Sequence, residues 1–264
     1  MAGPASVALP GPNVRPWRRT VRYWTSRIVV SILTRGYLRV RRAEGAPLPA
    51  GPAIYCFNHM SWADPFVLMA LLPYRPRLWF FGPKEEDMGV GGRNRVMTWT
   101  GTAIPYKPGK NDLLEATRRV GAVIASGGVV AIAGEGRIHG RENELLPVSE
   151  GAAYFAMRSG VPLVPVAIHG TSWLRFGGRV SVVVGEAIPY EGRPNRVSLA
   201  DATERLTVAL TSLVADSPEV RPPGRIGRWL TERFNDWPEG SREAALAASA
   251  ASGTDRSGIL PSPD

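Results

Sequence analysis

The sequence predicts an α/β fold in which a mixed, largely parallel sheet is flanked by helices. Three observations lead there. Runs such as 129–133 and 163–168 are apolar throughout, as strands covered on both faces should be. Longer stretches between such runs carry apolar residues at helical spacing. Gly and Pro punctuate the boundaries, and 264 residues suit one such domain with appendages.

In chain order, residues 1–14 are Gly/Pro/Ala-rich and predict a disordered start. Within 15–45, Val21, Trp24, Ile28, Ile32 and Leu33 recur at helical spacing over Trp17–Arg42, which predicts a basic amphipathic helix. Arginines 15, 18, 19, 22, 27, 35, 39, 41 and 42 surround that stripe. One reading buries the apolar and aromatic side chains at a bilayer boundary while arginines, Arg27 and Arg35 among them, hold lipid phosphates. The other packs the helix on the core and leaves the basic face in water. The density of arginine exceeds what solubility needs and favours the membrane.

The domain proper is expected over 46–220. Strand 53–57 precedes a helix at 64–72, where Asp64-Pro65 is also a helix-start pattern. Strand 78–82, helix 90–100 and strand 103–106 follow. A helix at 112–126 places Leu113, Leu114, Thr117, Val120 and Ile124 on one side and stops at Gly127-Gly128. Then come strand 129–133, helix 151–159, strands 163–168 and 180–184, and a last helix over 199–214. Residues 221–237 form a basic-aromatic segment with Arg225, Arg228, Trp229, Arg233, Phe234 and Trp237, either a second interfacial contact or a helix packed on the domain. Residues 238–264 are Ala/Ser/Gly/Pro-rich and predict a disordered tail.

Chemistry concentrates in Asn58-His59-Met60-Ser61-Trp62-Ala63-Asp64, directly after strand 53–57. Imidazole suits proton removal from a hydroxyl near neutral pH. A carboxylate on its other nitrogen would fix the tautomer and stabilise the imidazolium. No G-x-S-x-G nucleophile motif occurs, so the attacked or attacking hydroxyl is expected to belong to a substrate.

Asn58-His59 followed by Asp64 resembles the N-H-x4-D signature of the glycerolipid acyltransferases, the 1-acyl-sn-glycerol-3-phosphate acyltransferases and their relatives. Gly134-Glu135-Gly136 resembles the family's third block, usually F-P-E-G-T-R. Val161-Pro162-Leu163-Val164-Pro165-Val166 resembles its fourth. The resemblance covers roughly 20–215, with the blocks in order. Block three here reads Ala133-Gly134-Glu135-Gly136-Arg137-Ile138, so Phe-Pro is replaced and the arginine falls one position early. Where block two usually ends I-D-R, this chain has Ala103-Ile104-Pro105-Tyr106-Lys107. Lys107 keeps the charge but not the bidentate fork that the family's arginine offers a phosphate.

The resemblance implies direct transfer of a fatty acyl group from acyl-coenzyme A or acyl carrier protein to a lysolipid hydroxyl, with His59 and Asp64 catalytic and no resident cofactor. It implies that Glu135 and Gly136 bind acceptor hydroxyls. Lys84 and Lys107 are further substrate-binding candidates, because each follows a predicted strand end, and Arg137 and Asn58 are candidates through the blocks that resemble the family's. An acyltransferase with a non-phosphatidate acceptor (an aminolipid, glycolipid or other alcohol), a membrane-binding pseudoenzyme and a thioester hydrolase are the alternatives. His139 and His169 read as loop or strand-end histidines.

Net charge is +9, which directs the chain toward phosphates. An anionic membrane surface is the expected partner, since no nucleic-acid-binding signature accompanies the charge. The three histidines and one cysteine lack metal-site spacing. Cys56, alone, permits no internal disulfide and sits in an apolar strand as a small hydrophobe. No long uninterrupted apolar run or signal-peptide pattern occurs, so peripheral attachment at the cytoplasmic face is the expected location.

Overall fold

The computed structural model describes residues 9–10, 14–84, 91–106, 112–190, 192–235 and Arg242. The expected disordered ends, 1–14 and 238–264, lie outside those residues apart from Leu9, Pro10, Val14 and Arg242, as does Lys107.

Seven strands form one sheet in the order β1-β7-β6-β2-β5-β3-β4. They are β1 (Leu38–Arg42), β2 (Ile54–Phe57), β3 (Leu78–Lys84), β4 (Ala103–Tyr106), β5 (Val129–Ala133), β6 (Leu163–His169) and β7 (Gly178–Val184). Every pairing is parallel except β6 with β7, so the sheet is mixed and largely parallel as expected. Helices α1 (Pro16–Tyr37), α2 (Asp64–Leu71), α3 (Gly91–Thr100), α4 (Asp112–Ala125), α5 (Gly151–Ser159), α6 (Arg196–Ala215) and α7 (Arg225–Phe234) surround it. One face of the sheet packs on α2 with side chains from α1, α3 and α7, among them Val67, Leu68, Met97 and Leu230. The other packs on α4, α5 and α6 through Val120, Phe155, Leu206 and Leu210. Two covered faces explain why β2, β6 and almost all of β5 are buried along their length.

The basic segment divides in a way its composition hides. The helix stops at Tyr37, and Leu38–Arg42 is an edge strand parallel to β7 rather than the end of a helix. The cause is a switch of period: Leu38 and Val40 turn inward, while Arg39 and Arg41 face solvent and blunt the edge.

The expectation that Arg27 lies at a membrane surface is corrected. Arg27 is fully buried; it donates to the Tyr23 hydroxyl at 3.1 Å and to the carbonyls of Leu72 and Pro73, capping the C-terminal end of α2. Its guanidinium also lies over the Tyr74 ring. Arg35 donates to Ala70 O at 2.8 Å and reinforces the same docking. Helix α1 thus turns its polar side, Tyr23, Ser26, Arg27 and Ser31, into the protein. Its outer side exposes Trp17, Val21, Ile28, Val29, Ile32 and Leu33, the last at 66%.

Candidate active site

The site forms where the central strand β2 ends between β5 and β6, at the carboxyl edge of the sheet. His59 follows β2 by two residues, and α2 begins at Asp64. The intervening turn folds back over the first turn of the helix, so a five-residue gap closes: His59 Nδ1 is 2.8 Å from Asp64 Oδ2. The same oxygen accepts from Met60 N at 2.8 Å and Ser61 N at 2.9 Å. Asp64 does not cap α2 with its side chain; its carboxylate serves the loop before the helix. It is completely buried, whereas the His59 side chain keeps 20% exposure. With Nδ1 donating to the carboxylate, Nε2 carries the lone pair and is the atom able to take a proton. The Phe57 ring packs edge-on to the imidazole at 5.8 Å and helps set its plane. Among the described residues no serine or cysteine side chain hydrogen-bonds His59.

Two buried carboxylates hold this arrangement. Glu135, just after β5, accepts from His59 N at 2.6 Å through Oε2 and from Leu146 N at 2.9 Å through Oε1. His139 Nε2 lies 2.9 Å from Oε1 without the alignment of a hydrogen bond. Both Glu135 oxygens are therefore taken up by the protein, and its side chain is fully buried. It thereby ties the loop that carries His59 to the segment at Leu146. His139, read from sequence as a loop histidine, is a wholly buried partner of that carboxylate, and its backbone N donates to His59 O at 3.3 Å.

Glu142 is the second carboxylate and was not singled out by the sequence. It accepts from Gly170 N at 2.7 Å, Ser172 N at 2.9 Å and Ser217 Oγ at 3.1 Å. These bonds clamp the turn after β6. Thr171, held between the two clamped amides, donates from Oγ1 to Asp64 Oδ1 at 2.6 Å. Gly170-Thr171-Ser172, at the end of the neighbouring strand, was the available signal.

Asn58 also turns out to be a tie. Its Nδ2 donates to Ile168 O at 3.0 Å and its Oδ1 accepts from Ile168 N at 2.7 Å, locking the end of β2 to β6. The side chain is buried, and both of its polar ends bond Ile168. Gly136 sits at φ +66 in the turn after β5, and the half-buried Arg137 follows it. Lys84 closes β3 opposite Tyr106, so its backbone is at the same edge of the sheet. His169 ends β6; burial pushes its pKa down, and its Nε2 has no hydrogen-bond partner. Among the described residues no His/Cys/Asp/Glu group could hold a metal ion.

Residues 38–169 match the family model described as acyltransferase. Human 1-acyl-sn-glycerol-3-phosphate acyltransferase beta is 31% identical over 159 residues, which cover 54% of this chain and 53% of the human protein. A 1-acyl-sn-glycerol-3-phosphate acyltransferase of Chlamydomonas reinhardtii is 23% identical over 218 residues, covering 78% of this chain and 64% of that protein. The chain thus spans less than two thirds of the length of these curated relatives. The crystal structure of PlsC, the 1-acyl-sn-glycerophosphate acyltransferase of Thermotoga maritima, superimposes with a TM-score of 0.54 at 17% identity, covering 76% of this chain and 83% of that one. At that identity the likeness speaks for the fold.

Proposed function

The chain belongs to the acyltransferase family, and on that premise we propose that it transfers a fatty acyl group from acyl-coenzyme A or acyl carrier protein to the free hydroxyl of a lysolipid of the 1-acyl-glycerol-3-phosphate type. The observation that carries the reading is the His59–Asp64 pair, 2.8 Å apart, with a partly exposed imidazole and, among the described residues, no serine or cysteine side chain bonded to it.

His59 Nε2 takes the proton as the acceptor oxygen attacks the thioester carbonyl. Asp64 keeps the proton-bearing nitrogen turned away from the substrate and stabilises the imidazolium that forms. The new ester C–O bond forms, the C–S bond breaks, and the departing thiolate takes up the proton from His59. Glu135 and Asn58 act on geometry, by holding His59 N and the end of β2. The candidates for the acceptor phosphate are Arg137 and Lys84, whose backbones lie at strand ends, and Lys107, which is outside the described residues.

The acceptor lives in a bilayer, and α1 supports delivery from one. A helix that buries its polar side and exposes Ile28, Ile32 and Leu33 has found its apolar solvent outside the protein. Among the described residues no helix is long and apolar enough to cross a membrane, so the contact is interfacial. The substitution of lysine for the resembled family's arginine at Lys107 favours one second reading, an acceptor without a phosphomonoester.

The test is transfer of label from acyl-coenzyme A, and separately from acyl carrier protein, to a panel of lysolipids with and without phosphate. Product should form with lysophosphatidate and vanish in His59→Ala. If that variant keeps a tenth of the wild-type rate, the base is elsewhere.

A further inference from the structure

We propose that α7 is a second lipid-docking element, its occupant an anionic bilayer surface, and that it holds the catalytic loop against that surface. The proposal rests on the acyltransferase reading only for its purpose; docking itself is measured separately.

Helix α7 is seated in one orientation. Gly227 lies against the turn after β6 so closely that a Cβ there would meet Leu174 O at 2.5 Å and Pro223 Cβ at 2.7 Å. Thr231 Oγ1 accepts from Leu174 N at 2.9 Å, one turn further along the same side. With Gly227, Leu230 and Thr231 inward, Ile226, Trp229 and Arg233 must point outward. Ile226 is 78% exposed and Trp229 59%. Arg225 and Arg228 flank them. Among the described residues no carboxylate pairs with Arg225 or Arg233, while Arg228 donates to Pro223 O and lies over the Trp173 ring. A tryptophan and an isoleucine between arginines match a head-group boundary: an apolar body enters, and guanidinium groups meet lipid phosphates.

The turn that seats α7 also meets the end of α1. Both helices cover the same side of the sheet, and the ring of Tyr37, the last residue of α1, meets Phe176 edge-on at 5.9 Å. Phe176 is itself 78% exposed and belongs to the turn on which α7 sits. The exposed apolar side chains of α1, Phe176 and α7 thus belong to adjoining elements on one side.

Helix α7 is also tied to the chemistry. Trp62 lies between His59 and Asp64 in the chain. Its indole Nε1 donates to Leu230 O at 3.1 Å, its backbone N donates to Asn235 Oδ1 at 2.8 Å, and its ring packs on Phe234 at 5.1 Å. A bilayer that engages α7 is therefore linked through Trp62 to both members of the dyad, three residues after His59 and two before Asp64. The matched family region, 38–169, ends before α7.

The test uses the full chain and the double variant Ile226→Asp/Trp229→Asp. Flotation with vesicles of equal parts phosphatidylglycerol and phosphatidylcholine should show at least a tenfold loss of partition. Turnover of vesicle-borne lysophosphatidate should fall in step, while turnover of a short-chain lysophosphatidate kept monomeric should stay within twofold. Arg225→Gln/Arg233→Gln should lose the preference for anionic over pure phosphatidylcholine vesicles. Unchanged partition of the aspartate variant overturns the proposal. So does equal loss on vesicle and monomeric acceptors, which would make α7 a support of the site alone, or a wild-type dimer that the variant dissolves without lipid, which would make the patch a self-interface. If wild type transfers no acyl group, the acyltransferase reading fails and flotation still decides docking.

Discussion

Thr171 Oγ1 donates to Asp64 Oδ1 at 2.6 Å, joining residues 107 positions apart in the chain. The bond occupies the oxygen that His59 does not use, so the carboxylate has a donor on each side. Met60 N, Ser61 N, His59 Nδ1 and Thr171 Oγ1 together leave it no freedom to rotate.

Replacing Thr171 by Val keeps the shape and removes that donor. A hydrogen bond to a charged acceptor contributes about 1.5–3 kcal/mol, which is roughly tenfold or more if it acts on the barrier. We expect kcat to fall by that factor with the acceptor KM unchanged, because Thr171 is fully buried behind Asp64. Thr171→Ser should restore most of it. A drop in Tm without a change in kcat would assign the bond to stability alone.

Asn58→Ala should act on stability instead. It strands Ile168 N and O in a buried position, at a cost of about 2–4 kcal/mol for the pair of lost bonds. That corresponds to a Tm lower by several degrees, read by calorimetry. Asn58→Asp should be no better, since a carboxylate cannot donate to Ile168 O. Wild-type stability in either would show that the tie is dispensable.

The elements legible in the sequence are those whose signal is local. Strands 103–106 and 129–133 and helix 151–159 fall where expected, because a fully apolar run or a helix stopped at Gly160 needs no distant partner. Strand β1 was hidden by arginine: its two-residue alternation is short and follows a helix of the same composition. His59 and Asp64 were legible from their order after an apolar strand. The hydrogen-bond partners of Glu135 and Asn58 were not, because a side chain that faces a ligand and one that holds a loop look alike in sequence. The donors among them, His59 N, Leu146 N and Ile168 N, come from other strands and loops. Glu142 and Thr171 were missed for the same reason. Arg27 shows the reverse, a charge that resembles a surface group until the carbonyls ending α2 are placed around it.

Cys56 should be chemically silent. Burial pushes its thiol pKa up, and the Glu135 carboxylate acts in the same direction by opposing a second negative charge nearby. Both effects favour the neutral thiol, which is the unreactive form. Iodoacetamide at pH 8 should leave the native protein unlabelled and modify it stoichiometrically in guanidinium chloride. Labelling of the native protein at the rate of a free thiol would contradict the burial.

Gly134 and Cys56 should be energetically coupled. Gly134 opens the turn that carries Glu135 and Gly136, and its N donates to Phe57 O at 2.9 Å, so the backbone cannot retreat from β2 without breaking that bond. A Cβ at Gly134 would sit 2.8 Å from Cys56 Sγ and 3.3 Å from Val148 Cγ1. The sulfur is in a fully buried strand and has nowhere to move. Gly134→Ala should therefore cost about 1–3 kcal/mol, as overpacking does, and shift Glu135 from His59 N enough to lower turnover. Cys56→Ala alone should cost a little through the cavity it leaves. The double variant fills that cavity with the new methyl, so it should be more stable than Gly134→Ala alone and recover part of the turnover. A double-mutant cycle by urea denaturation gives the coupling directly. Strict additivity would mean that Val148, not Cys56, sets the requirement for glycine in this turn.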